Sequence, residues 1–417
     1  MSAPRLLYTL ALWLILPVLL LRLLWRARRQ PAYLEHVAER FGFYRQRIEG
    51  PCLWIHAVSV GETRAAEPLI RALRARHPGY RILLTHMTPT GRETGAALFG
   101  DTVTQCYLPY DYPGAVARFF GHFQPRLGLL METELWPNLV ACAVARGLPL
   151  CLVNARLSER SARGYQRTGL LARDVLRGLY AVAAQTEADA QRLRALGAQH
   201  VTVAGNLKFE VEVPAEELAR GAAWRASLGA RPVILAASTR EGEEAQLLEA
   251  WTAAPRGEVL LVIVPRHPQR FDEVAALIDR RGLRQQRRSQ ALQIGADTEV
   301  LLGDSLGEMY FYYAACDVAL LGGSFQPHGA QNLIEPCALG RAVVLGPSTY
   351  NFAEAAAAAV AAGAALQVPD LARGVETALR LLDEPQRLAA CGAAGRAFAM
   401  AHQGAAQRIL GLLPENI

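Results

Sequence analysis

Carboxylates that follow apolar, strand-like runs are the residues of this chain best placed to do chemistry. Glu62 ends the stretch Ala57-Val58-Ser59-Val60-Gly61-Glu62. It comes after the run Leu53–Val58 and before a helical pattern from Thr63 to Arg76 with Ala66, Leu69, Ile70 and Leu73 on one face. Gly61 permits a tight strand-to-helix turn. A carboxylate there can serve as a helix-start residue favoured by the amino-terminal dipole. It can also act on a ligand, because open α/β sheets bind ligands at the carboxyl ends of their strands. Glu132 and Glu134 lie in Met131-Glu132-Thr133-Glu134-Leu135-Trp136-Pro137-Asn138, directly after Leu127–Leu130. Acidic residues are poor strand formers. They either begin the next helix or share a rim with Glu62. Lys208, in Gly205-Asn206-Leu207-Lys208, follows another strand pattern and reads as a solvated cation or as a contact for an anion.

The second half carries a different kind of residue. Pro265 and Arg266 end an apolar run in Val264-Pro265-Arg266-His267-Pro268, where a guanidinium can pair with a phosphate. His267 reads as a turn residue rather than a metal ligand. In Asp304-Ser305-Leu306-Gly307-Glu308-Met309 a strand gives way to a turn and a helix, whose first amides can hold a phosphate. Ser305 as an ordinary N-cap is compatible with that. Gly322-Gly323-Ser324-Phe325 precedes Gly329-Ala330-Gln331-Asn332-Leu333-Ile334-Glu335-Pro336. A helix is expected to begin near Asn332, with Glu335 in its first turn and able to accept hydrogen bonds from ribose hydroxyls.

These residues need strand ends to hold them, and the sequence supplies two series. Strand patterns occur at Leu53–Val58, Arg81–His86, Val103–Leu108, Leu127–Met131, Leu148–Val153, Ala181–Gln185 and Val201–Ala204, most of them separated by helical stretches. A more polar segment, Leu207–Arg231, follows. The second series runs Val233–Ala237, Val259–Val264, Val300–Leu302, Val318–Leu321 and Val343–Leu345. An alanine-rich helix is expected from Phe352 to Ala365, with two more helices to the end. Alternation of this kind implies parallel sheets wrapped by helices. The expectation is an α/β protein of two Rossmann-like domains, residues 31–215 and 216–417, with ligands in a cleft between them. Residues 1–30 stand apart. Leu6–Leu21 is almost unbroken apolar sequence, followed by Arg22, Arg26, Arg28 and Arg29. The charge follows the apolar run, unlike a cleavable signal peptide. The segment therefore reads as a membrane anchor with its arginines on the cytoplasmic side, either spanning or lying in the interface.

At 417 residues, with 52% hydrophobic and 20% charged content, the chain can bury two cores. Its net charge of +6 and pI near 9.0 point to anionic partners. Nucleic acid is not expected, for want of zinc-ligand spacing, a basic helix or an aromatic-basic ribonucleoprotein motif. The seven cysteines, an odd number at wide spacings, read as reduced core residues in a cytosolic compartment. There is no phosphate-binding Gly-x-x-x-x-Gly-Lys-Ser/Thr loop, no Gly-x-Gly-x-x-Gly after the first strand, no Gly-x-Ser-x-Gly elbow and no Asp-x-Asp pair. A P-loop kinase is excluded. A dinucleotide enzyme and a serine hydrolase are disfavoured, and no metal–diphosphate pair is present.

Taken in order, Ser59-Val60-Gly61-Glu62, Thr88-Pro89-Thr90-Gly91, the Met131–Asn138 stretch, Asn154-Ala155-Arg156-Leu157-Ser158, Gly205–Lys208, Pro265-Arg266-His267 and Asn332–Glu335 resemble the 3-deoxy-D-manno-octulosonic acid (Kdo) transferases of lipopolysaccharide assembly. The resemblance implies an inverting GT-B glycosyltransferase on the cytoplasmic face of the inner membrane, without cofactor or metal. It would take Kdo from CMP-Kdo and add it to a lipid A precursor. By the family pattern Glu62 is the general base, while Glu132 and Lys208 assist the transition state. CMP is held by Pro265 and Arg266, by Gly307, Glu308 and Met309, and by Asn332, Leu333, Ile334 and Glu335. The chain departs from the family where it has Gly329-Ala330-Gln331-Asn332 in place of Gly-Gly-His-Asn, and His86 where a hydroxyl residue is commoner. The alternatives are a related enzyme using a UDP-sugar (transferase or epimerase) and a non-catalytic, membrane-anchored sugar- or lipid-binding protein.

Overall fold

A computed structural model describes residues 2–211, 213–290 and 293–415. The chain forms two compact units, Met1–Glu210 with Gln403–Ile417, and Val211–His402.

The first unit is built on a parallel sheet of seven strands: β1 (Cys52–His56), β2 (Arg81–His86), β3 (Thr104–Tyr107), β4 (Leu127–Met131), β5 (Leu150–Ala155), β6 (Ala181–Ala184) and β7 (Val201–Val203), in the order β3-β2-β1-β4-β5-β6-β7. Its central strands are apolar at nearly every position because helices cover both faces. One face packs Leu53, Ile55, Leu129 and Val153 under the helix Val60–Arg76 through Leu69, Ile70 and Leu73. The other packs Trp54, Leu130 and Leu152 against Phe119 and Phe120. The Trp54 indole N–H is not stranded in that core, since it donates to Thr85 Oγ1 at 2.8 Å.

The second unit repeats the plan: β8 (Val233–Thr239), β9 (Leu260–Pro265), β10 (Gln285–Arg287), β11 (Val300–Leu302), β12 (Val318–Leu321), β13 (Ala342–Leu345) and β14 (Ala365–Gln367), in the order β10-β11-β9-β8-β12-β13-β14 and parallel throughout. The fold is thus α/β with two Rossmann-like units. In each, the strand order reverses beside the first strand, between β1 and β4 and between β8 and β12. Such switch points leave room for a ligand at the strands' carboxyl ends.

Three local features differ from the sequence expectation. The edge strands β10 and β14 have no counterpart in it: each is three residues long, and β10 reads Gln-Gln-Arg, without an apolar signal. The alanine-rich helix covers Ala353–Ala361, not Phe352–Ala365, because the chain turns at Gly363 (φ +72°) and then pairs with β13. The terminal helix Ala405–Leu412, expected in the second domain, joins the first unit. Ile409 and Leu410 enter its core, Arg408 donates to the Ala204 carbonyl at 2.8 Å, and Arg76 donates to the Leu410 carbonyl at 3.1 Å. The change of unit falls at Glu210/Val211.

The helix Ala3–Ala27 is long and apolar enough to cross a membrane. All seven cysteines are free, and all but the half-buried Cys142 are buried.

Close packing leaves a testable mark at Gly128 on β4. A Cβ there would lie 2.6 Å from Leu150 Cδ1 and 2.8 Å from Trp54 Cε3. Gly128→Ala is expected to destabilise the first unit by about 1–3 kcal/mol, read as a lowered midpoint in thermal or urea denaturation.

Candidate active site

The first unit gathers its acids at the switch point between β1 and β4. Ser59 is the N-cap of the helix Val60–Arg76, and Glu62 is its third residue. The two form a variant of the capping box. The Ser59 hydroxyl donates to Glu62 Oε1 at 3.0 Å, and the Val58 backbone N–H donates to Oε2 at 2.9 Å. The helix-start reading of Glu62 is therefore correct as geometry, but it does not account for the surroundings. Glu62 is buried, 9% exposed, and the negative charges of Glu132 and Glu134 act on it. Burial raises its carboxyl pKa to about 7, with the two acids adding to the rise and the Val58 and Ser59 hydrogen bonds opposing it. A cap needs neither burial nor like-charged neighbours, whereas a base working near neutral pH benefits from both.

Glu132 follows β4, the strand paired with β1. Its backbone sits at φ +57°, a region disfavoured for a non-glycine residue. Glu134 is held by the Trp136 indole N–H at 2.7 Å, and burial raises its carboxyl pKa as well. Trp136 in turn meets the His56 ring edge-on, with centroids 6.4 Å apart. Burial, with the neighbouring His86, lowers the His56 pKa to about 3, so the imidazole is neutral.

Lys208 is positioned by a chain of amides that the sequence reading did not identify. The Gln185 side chain donates to the Asn154 carbonyl, Asn206 donates to Gln185 Oε1, and Asn206 Oδ1 accepts from the Lys208 backbone N–H at 2.9 Å. Asn154 Oδ1 also accepts from the Leu207 N–H at 2.9 Å. The turn Leu207–Phe209 packs against the helix that carries Glu62. The only advance signal is a cluster of Asn and Gln residues at successive strand ends.

In the second unit, Arg266 follows β9, Gly307–Met309 follow β11, and Asn332–Glu335 follow β12. All lie beyond the carboxyl edge of one sheet. Arg266 is exposed, and its backbone N–H donates to the Thr239 carbonyl at 2.9 Å. Asn332 spans the start of the helix Ile334–Ala338: its Oδ1 accepts from the Ile334 N–H at 3.0 Å, and its Nδ2 donates to Glu335 Oε1 at 3.0 Å. Leu333 and Ile334 are fully buried, so only their backbones can face a ligand. Pro265 is also buried, as the last residue of β9. Glu308 pairs with Arg220 and, at 3.2 Å, with Arg288. Burial alone would raise its carboxyl pKa, but Ser305 and the two guanidiniums hold it below the ordinary value.

Sequence reasoning missed Glu243, which shapes this edge from beneath. Its buried carboxylate accepts from the backbone N–H groups of Arg240 (2.8 Å), Gly323 (2.8 Å) and Phe325 (3.1 Å), tying the β8 and β12 loops together. Gly322 lies so close to β8 that a Cβ would meet the Ser238 carbonyl oxygen at 2.3 Å. Among the described residues there is no cluster of three His, Cys, Asp or Glu side chains able to hold a metal ion.

Comparison with known proteins puts this arrangement in context. A family described as 3-deoxy-D-manno-octulosonic-acid transferase (kdotransferase) matches residues 35–211. The 3-deoxy-D-manno-octulosonic acid transferase of Bordetella pertussis is 49% identical over 423 aligned positions, 98% of each chain. That of Haemophilus influenzae is 37% identical over 420, again 98% of each. Among solved structures, UDP-GlcNAc 2-epimerase from Neisseria meningitidis bound to UDP-GlcNAc superposes with a TM-score of 0.58 over 88% of this chain and all of that one, at 17% identity. A glycosyltransferase from Rickettsia africae superposes at 0.54 over 88% of this chain and 98% of that one, at 13% identity. At such identities the likeness speaks for a shared GT-B-type fold alone.

The raised Glu62 pKa makes stability depend on pH. The folded protein keeps this proton up to about pH 7, whereas an unfolded glutamate releases it near 4.5. Between those values the native state binds the extra proton, so stability falls as pH rises. Glu62→Gln is expected to be more stable than the parent by about 1–3 kcal/mol at pH 8 and nearly equal at pH 4, as read by urea denaturation at the two pH values.

Proposed function

The chain belongs to the 3-deoxy-D-manno-octulosonic acid (Kdo) transferase family, and from that premise we propose that it transfers Kdo from CMP-Kdo to a sugar hydroxyl of a lipid A precursor at the cytoplasmic face of the inner membrane, with Glu62 as general base. The observation that carries the base assignment is the buried Glu62 carboxyl, with a pKa near 7 at a strand-end switch point beside two further acids. A sugar hydroxyl is a weak nucleophile. A carboxylate that takes its proton as the new bond forms lowers the barrier.

In this reading the acceptor oxygen attacks the anomeric carbon of Kdo as Glu62 receives the hydroxyl proton. The bond from the anomeric carbon to the phosphate oxygen breaks, and its electron pair leaves with CMP. Attack opposite the leaving group inverts the anomeric centre. Glu132 stabilises positive charge at that carbon, and Lys208 offsets negative charge on the departing group. In the second unit Arg266 pairs with the CMP phosphate. The backbone at Pro265, Gly307, Met309, Leu333 and Ile334 lines the nucleotide, and Asn332 and Glu335 take the ribose hydroxyls. Glu308, committed to Arg220 and Arg288, braces the Gly307 turn. The helix Ala3–Ala27 brings the enzyme to its lipid acceptor.

Incubation with CMP-Kdo and lipid A precursor should yield a product heavier by Kdo in mass spectra. Glu62→Gln should lower the transfer rate by about 10²–10⁴-fold while CMP still stabilises the protein in thermal shift. Arg266→Ala should weaken CMP binding by about 10–100-fold, as expected for loss of a charge-assisted contact. UDP should not stabilise the protein; if UDP does so in place of CMP, the donor assignment is wrong.

A further inference from the structure

The helix Ala3–Ala27 does not stand free of the first unit. Arg5, Tyr8, Thr9, Leu12, Leu16, Leu19, Leu23 and Ala27 recur at three- and four-residue steps, and all are buried or half-buried. These residues form one face along the helix, about 37 Å long, which meets the helices Pro137–Ala145 and Leu170–Arg177 and the turn Pro31–Leu34 that follows it. Polar groups fix the contact near the amino-terminal end. The Asn138 side chain donates to Thr9 Oγ1 at 3.1 Å, Tyr112 donates its hydroxyl to the Leu12 carbonyl at 2.7 Å, and the Tyr8 hydroxyl bonds Asp111. Asp111 is itself buried and accepts the Asn138 and Leu139 backbone N–H groups, at 2.9 and 2.7 Å.

This docking conflicts with a transmembrane path. The helix touches the helices Pro137–Ala145 and Leu170–Arg177. If Ala3–Ala27 crossed the hydrocarbon, those helices would enter it too, with exposed Arg173, Asp174 and Arg177. A charged side chain at the bilayer centre is strongly disfavoured. Releasing the helix instead would break the bonds to Tyr112, Asn138 and Asp111. The outward face is apolar: Leu7, Leu14 and Leu21 are 68%, 81% and 66% exposed. Exposed Arg22, Arg28 and Arg29 lie toward its carboxyl end. An apolar face flanked by arginines complements the interface of an anionic bilayer.

We propose that the helix Ala3–Ala27 lies in the plane of the membrane surface, docked lengthwise on the first unit, with Leu7, Leu10, Leu14, Val18, Leu21 and Trp25 in the acyl region and its arginines among anionic headgroups. This rests on the membrane attachment proposed above, but not on the donor or the base. The polar bonds at Asn138 then join the membrane-bound helix to the stretch that carries Glu132 and Glu134.

The test is a topology measurement on the full chain carrying Ser2→Cys, at an exposed position ahead of the helix. Spheroplasts of an expressing bacterium are treated with a membrane-impermeant maleimide before and after the membrane is opened. The expected result is protein in the membrane fraction whose introduced thiol stays unlabelled, with no more reaction than the parent, until the membrane is opened. Reaction in intact spheroplasts would show a spanning helix and overturn the in-plane placement while leaving membrane attachment standing. Protein found wholly in the soluble fraction would overturn both.

Discussion

The structure turns on one carboxylate kept from water. Glu62 accepts hydrogen bonds from Val58 N–H and Ser59, and either bond favours its charged form. Burial and two neighbouring acids act the other way and prevail. The outcome is a group stronger as a base than an ordinary glutamate, yet ionised in large part at neutral pH. The same capping contacts that begin the helix also fix the direction of the carboxyl group. In the proposed function, structural and chemical roles coincide in one side chain.

Strand-end geometry provides the setting. β1 and β4 are neighbours in space although the chain forms β2 and β3 between them, so residues some seventy positions apart meet where a parallel sheet leaves an opening. Glu132, Asn154 and Ser238, three of the seven described non-glycine residues at positive φ, all lie at the carboxyl ends of strands. Backbone strain of this kind costs roughly 1–3 kcal/mol per residue. It gathers where the site is proposed. In the second unit a buried carboxylate does different work. Glu243 binds no ligand in this account, and spends its oxygens on the N–H groups of two loops that must stay close.

Much of this can be read before folding. The central strands, from Leu53 to Val264, announce themselves by unbroken apolar runs, since both faces of a parallel sheet are covered. Glu62, Glu132 and Arg266 stand out because charged residues at the ends of such runs need a reason. Edge strands escape notice: Gln285–Arg287 is polar, and only its pairing with Val300–Leu302 makes it a strand. The final helix carries no mark of its destination, since its return to the first unit depends on a surface around Leu69 and Leu73 more than three hundred residues earlier. The amide chain from Asn154 to Lys208 is likewise hidden, because it is assembled from three strand ends. The burial of Glu62 beside two like charges is a three-dimensional fact that no run of residues announces.

The most direct measurement is the pH dependence of kcat/KM for Kdo transfer, which reports the ionisation of the free enzyme. The base must be ionised to work, so the rate should rise about tenfold per pH unit at low pH and level off near pH 7, with that limb missing from the residual activity of Glu62→Gln. A rate that levels off near the ordinary glutamate value of 4.5, or a Glu62→Gln variant with the parent's profile, would contradict the account.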